Sequence, residues 1–171
     1  HTRLTDATGV QTCALPIYRP NNVDDPENLH RLLSAISGSA GAKKVIFPVH
    51  PRTRKVIDSF GSSVAGGIYL AEPMGYLEFN YLVERAFAVV TDSGGITEET
   101  TVMGVPCMTL RNSTERPETC TVGTNELLGT DPAAIKPAMQ RLFEGKWKRG
   151  GVPEMWDGRA SERIVDVLLK S

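Results

Sequence analysis

The chain has 171 residues, 40% of them hydrophobic, and its 19 Lys and Arg against 20 Asp and Glu give a net charge of −1. It has the apolar material for one globular domain and lacks the basic excess that nucleic acid or a membrane surface attracts. Cys13, Cys107 and Cys120 are odd in number and lack CxxC spacing, which argues against a disulfide framework or a zinc site. No apolar run approaches the ~20 residues of a membrane-spanning helix, and the first residues lack the charged-then-apolar layout of a secretory leader, so a reducing, cytoplasmic setting is expected.

Residues 1–17, HTRLTDATGVQTCALPI, carry no sustained periodicity. GVQTCALPI resembles translated sequencing-adaptor sequence, so 1–17 is expected to be a non-native, poorly packed extension, with the domain proper at 18–171. Residues 19–22 read as a loop. Asp24 or Asp25 can cap a helix with Pro26 near its first position, and Leu29, Leu32, Leu33 and Ile36 recur at helical spacing until Gly38 and Gly41 end it. A strand is expected at 43–49, then His50-Pro51-Arg52 and a helix to about 60, a strand at 67–70, and an amphipathic helix carrying Tyr76, Leu77, Phe79, Leu82 and Val83.

The chain turns on residues 86–104, AFAVVTDSGGITEETTVMG. Residues 86–90 read as a buried parallel strand. Ser93, Gly94 and Gly95 then open a helix whose first N–H groups lack intrahelical partners, the layout of an anion site. The glycines let a phosphate approach the main chain, and Ser93 can cap the helix and offer its hydroxyl. Glu98 and Glu99 suit the helix dipole, and a carboxylate one turn beyond a phosphate is also placed to accept from ribose hydroxyls. Strands are expected at 106–110 and 126–128, a helix at 131–143 capped by Asp131, and a last helix at 159–169.

Strands alternating with helices at such short separations indicate an α/β fold with a doubly wound, mostly parallel, Rossmann-like sheet, whose ligands bind outside the carboxyl ends of the strands. Three loops fall there: 50–52, 93–95 and 111–118. His50 is either a capping residue or part of a site. Arg111 and Arg116 are either solvated charges or a phosphate clamp, a role Arg suits through paired hydrogen bonds. Phe79 is core by default and could otherwise face a base. Trp147 and Trp156 are expected to pin the last helix to the domain.

VTDSGGITEE at 90–99, GVPCMTLRNSTERPE at 104–118, GTNELLGTD at 123–131 and DGRASERIVDVL at 157–168 resemble the non-hydrolysing UDP-N-acetylglucosamine 2-epimerases, as do EPMGYLEF, FPVHPRT and RPNNVDDPENL upstream. The resemblance implies the second domain of a GT-B type two-domain fold, with the first domain and its catalytic acid and base carboxylates absent. By match to the family's motifs, Ser93, Gly94 and Gly95 hold the diphosphate of UDP, Glu99 the ribose and Phe79 the uracil. Arg116 also serves the nucleotide, and Arg19 and His50 contact substrate. The implied activity is an isomerase of cell-envelope polysaccharide biosynthesis: the C2 proton is removed and UDP expelled, then re-added from the opposite face. No cofactor or metal is required, and the full-length protein is implied to be a homodimer. Where the family reads His-Arg-x-Glu-Asn, this chain has Tyr18-Arg19-Pro20-Asn21-Asn22. The same residues would also serve a GT-B glycosyltransferase's nucleotide-sugar domain or an inactive UDP-sugar-binding protein.

Overall fold

The computed structural model describes residues 12–60 and 66–170. Its elements run β1 (Thr12–Ala14), α1 (Pro20–Val23), α2 (Pro26–Ser39), β2 (Lys44–Pro48), α3 (Pro51–Asp58), β3 (Ile68–Ala71), α4 (Tyr76–Glu84), β4 (Ala88–Thr91), α5 (Gly94–Met103), β5 (Cys107–Thr109), α6 (Pro117–Thr121), β6 (Asn125–Leu127), a 3-10 turn (Pro132–Ala134), α7 (Ile135–Phe143) and α8 (Ala160–Lys170). All strand pairs are parallel, in the order β3-β2-β1-β4-β5-β6. The order reverses between β1 and β4, which makes the carboxyl ends of those two strands the ligand position of a doubly wound sheet.

Each strand divides its side chains between two cores because successive Cβ atoms point to opposite faces. Cys13, Val45, Phe47, Ala88, Val90 and Met108 pack on one face with the apolar stripes of α2 (Leu29, Leu32, Leu33, Ile36) and α7 (Ile135, Ala138, Met139, Leu142). Ala14, Ile46, Val89 and Cys107 face the other side with Leu82 and Val83 of α4 and Ile96 of α5. A Leu or Ile buried this way stabilises by about 1.5–3 kcal/mol. Burial also pushes the Cys13 thiol up to about 11, against a smaller opposing effect of Lys43, and the Cys107 thiol to about 12. Both are free, as is Cys120.

The expectation that residues 1–17 pack poorly is corrected for its described part. Thr12–Ala14 is the strand at the centre of the sheet, pairing with Lys44, Val45 and Ile46 on one side and with Ala88 and Val89 on the other. Leu15 and Ile17 are buried in the larger core. A boundary at Tyr18 therefore has no counterpart in the packing; residues 1–11 lie outside the described residues. The loop expected at 19–22 is also corrected, since Pro20 opens a short helix at its first position.

Caps follow the sequence. Asp25 accepts from the Glu27 N–H at 3.0 Å and Asp131 from the Ala133 N–H at 2.9 Å. Helix α5 carries three threonines, and all three return their hydroxyls to carbonyls of the same helix: Thr97 to Gly94, Thr100 to Ile96, Thr101 to Thr97. That bonding lets these polar side chains be buried. Gly104, at φ 70°, ends α5 in the left-handed region that favours glycine. Helix α8 buries none of its residues, so neither tryptophan pins it. Trp147 is buried instead against β6, donating from Nε1 to the Thr124 carbonyl at 2.9 Å.

Candidate functional site

The site begins where β4 stops. The Thr91 hydroxyl donates to the Pro16 carbonyl at 2.7 Å and accepts from the Ser93 N–H at 3.1 Å, tying the ends of β1 and β4 together and setting the turn into α5. Between them Asp92 is wholly buried. Its carboxylate accepts from the Tyr18 N–H at 3.0 Å, the Arg19 N–H at 2.9 Å and Asn22 Nδ2 at 2.9 Å, while Arg19 Nε donates to its carbonyl at 2.9 Å. Burying a carboxylate is tolerable only with such bonding. Reading the sequence passed Asp92 over; its one signal was a charged residue directly after an apolar strand.

Ser93 stands at the cap position of α5 with no side-chain bond to the helix, which corrects the expectation that its hydroxyl caps it. The Thr91 hydroxyl organises the turn instead. Gly94 is half-buried and Gly95 exposed. A Cβ on Gly95 would meet nothing within 4 Å, so the space before the first turn is open. A Cβ on Gly94 would lie 3.5 Å from Glu115 Oε2 and 3.7 Å from Arg111 Nη1. Arg111 forks onto Glu115 with bonds of 2.7 and 2.5 Å. The guanidinium, helped by the backbone and Arg19, holds Glu115 down to about 2.

Along the flank of α5 lies a cleft of about 570 Å³, walled by Tyr76, Asn80, Glu98, Glu99, Met103 and Trp156 among others. Glu99 and Tyr76 share this wall. Burial, with a smaller part from the Glu98 charge, raises the Glu99 pKa, and the Tyr76 side chain opposes them. Arg116 also lines this cleft, its Nε paired with Glu98. Trp156 was expected under α8 and stands in this wall, placed after Met155, whose φ of 66° is unusual for a side chain of its size.

The remaining predicted residues disperse. Phe79 packs half-buried with Met74 against the smaller core and is not in the wall of the cleft. His50 caps α3, its Nδ1 accepting from the Arg52 N–H at 3.3 Å, and shares a separate hollow of about 340 Å³ with Tyr18, Asp24 and Arg52. Arg19 stays at the Asp92 junction. Tyr18 and Asn21 are exposed. A third, polar hollow of about 490 Å³ lies between α2 and the loops after β5 and β6, with Arg31, Asn112 and Asp131 on its walls. Among the described residues no His, Cys, Asp and Glu cluster could hold a metal, and no helix is long and apolar enough to cross a membrane.

The family model described as UDP-N-acetylglucosamine 2-epimerase matches residues 3–169. The UDP-N-acetylglucosamine 2-epimerase of Methanococcus maripaludis is 38% identical over 161 residues, 91% of this chain and 43% of that protein. The UDP-2,3-diacetamido-2,3-dideoxy-D-glucuronate 2-epimerase of Pseudomonas aeruginosa is 36% identical over 155 residues, 90% of this chain and 43% of that protein. Among solved structures, the Methanocaldococcus jannaschii UDP-GlcNAc 2-epimerase in complex with UDP-GlcNAc and UDP superposes with a TM-score of 0.79 at 36% identity, covering 95% of this chain and 46% of that one. The chain thus spans about half the length of the relatives it matches. A doubly wound sheet, a Ser-Gly-Gly turn at its switch point and a family match over almost the whole sequence agree: this chain belongs to the UDP-N-acetylglucosamine 2-epimerase family.

Proposed function

We propose that this chain is the UDP-binding half of a UDP-N-acetylglucosamine 2-epimerase. Ser93, Gly94 and Gly95 take the diphosphate, Glu99 the ribose hydroxyls, Phe79 the uracil after repacking toward the base, and Arg116 the nucleotide once released from Glu98. Arg19 and His50 meet the sugar side of the substrate. The observation that carries this reading is the open start of α5 at the switch point of the sheet, with the Glu99 cleft one to two turns further on. The M. jannaschii relative, solved with UDP-GlcNAc and UDP, supports it.

The chemistry follows from where charge grows. As the C2 proton leaves and the C1–O bond to UDP breaks, negative charge accumulates on the departing diphosphate. Main-chain N–H groups at a helix start, with the helix dipole behind them, stabilise that charge more than the neutral glycosyl bond, which lowers the barrier. The acid and base carboxylates belong to the other half of the protein, and Glu98 and Glu99 are not assigned that work. Calorimetry should find UDP binding to this chain, weakened by Glu99→Ala. Equal affinity in both removes the ribose assignment. UDP-N-acetylglucosamine should not be converted by this chain alone, and turnover by purified material would contradict the division of labour.

A further inference from the structure

Arg111 and Arg116, both near the start of α5, differ in how they are held. Arg116 is exposed and lines the cleft. Only 11% of the Arg111 side chain is exposed, and it lies beside Gly94, where its fork is filled by Glu115. A guanidinium receives a carboxylate and a phosphate in the same way, through two parallel N–H···O bonds. The Glu115 carboxylate thus lies beside Gly94 at the helix start, 3.5 Å from where a Cβ would stand. The Glu115 side chain is itself 65% exposed, so it can swing into water, whereas the largely buried Arg111 has little room to move.

We propose that Glu115 is an internal stand-in for phosphate: it holds Arg111 over the start of α5 while the site is empty and cedes that arginine to the diphosphate of an arriving nucleotide. The proposal rests on the diphosphate reading of that turn and adds Arg111 as a diphosphate-binding residue beside the Ser-Gly-Gly main chain. Two consequences follow. The guanidinium is kept in its working orientation without being left unpaired. A small inorganic anion must also displace a carboxylate already paired with Arg111, which favours a ligand that gains further contacts in the Glu99 cleft. Because the carboxyl is held down to about 2, it stays charged near neutral pH, and a competing anion, not a proton, releases the arginine.

The test is calorimetric titration of the 171-residue chain and its Glu115→Gln and Arg111→Gln variants with UDP, pyrophosphate and uridine. Glu115→Gln should bind UDP about tenfold more tightly, a gain of the size one lost charge competition supplies, and pyrophosphate more tightly as well, with uridine unchanged. Arg111→Gln should weaken UDP and pyrophosphate. A side chain that merely braced Arg111 would give the opposite sign on removal, so equal or weaker UDP affinity in Glu115→Gln overturns the proposal, with Glu115→Ala as a second variant of the same expected direction. UDP bound by the unsubstituted chain without a gain in either variant rejects the stand-in alone; UDP bound by none of them rejects the diphosphate site as well.

Discussion

The two ends of the candidate site are built differently. At the start of α5 the geometry is wired before any ligand arrives: Asp92 is wholly buried and draws in two backbone N–H groups and the Asn22 amide, and Thr91 ties Ser93 to the end of β1. Along the flank of α5 the groups are half-exposed and more loosely held, Arg116 paired with Glu98, and Glu99 beside Tyr76 in the cleft wall. Position at the first end is set by the fold, whereas the second end is free to adjust around a ligand. A charge that must be stabilised as a bond breaks is best met by dipoles that need not reorganise; a ribose or base tolerates a wall that closes on it.

Removing the wiring should have the largest effect. Asp92→Ala strands the Asn22 amide and two backbone N–H groups, and is expected to cost about 3 kcal/mol, beyond the usual range for an exposed substitution. Denaturant unfolding checks it, and an unchanged midpoint would mean that the backbone ladder and packing hold β1 and β4 without help from Asp92. Next comes Gly95→Val, which places a side chain in open space: the melting temperature should stay within a few degrees, while UDP binding is lost.

The cleft end should respond more softly. Folding raises the Glu99 pKa above its ordinary 4.5, so the folded chain holds this proton more tightly than the unfolded one. Between the ordinary and the raised value, stability contributed by this group is present at low pH and falls as pH rises. Glu99→Gln is therefore expected to flatten that fall and to melt slightly higher at neutral pH, yet to bind UDP more weakly. Melting curves across the acid range, read beside calorimetry, test both signs. Smallest of all, Glu98→Gln breaks an exposed pair and should change stability by less than about 0.5 kcal/mol.

Most of the fold was legible because periodicity and punctuation agree. Leu29, Leu32, Leu33 and Ile36 line one face of α2, and Asp25, Pro26 and Asp131 stand where caps and first turns require them. β1 was not legible. Thr-Cys-Ala has no alternation to read, and the ladder that holds it is made by backbone groups whatever the side chains are. α1 was hidden because Pro20-Asn21-Asn22 reads equally well as a turn; what makes it a helix start is the distant bond from Asn22 to Asp92. The Ser-Gly-Gly turn and the Glu99 flank could be read locally. Asp92, the closeness of Arg111 and Glu115 to Gly94, and the place of Trp156 depend on contacts across the chain that no local pattern encodes.

The central claim, that main-chain amides at the start of α5 hold a nucleotide diphosphate, is tested most directly by following backbone amide resonances while UDP is titrated into isotope-labelled protein. The account predicts the largest shifts at Gly94, Gly95 and Ile96, reproduced there by pyrophosphate, with Glu99 and Tyr76 responding to UDP alone. Shifts that gather instead around Arg31, Asn112 and Asp131, with Gly94 and Gly95 unmoved, would contradict it.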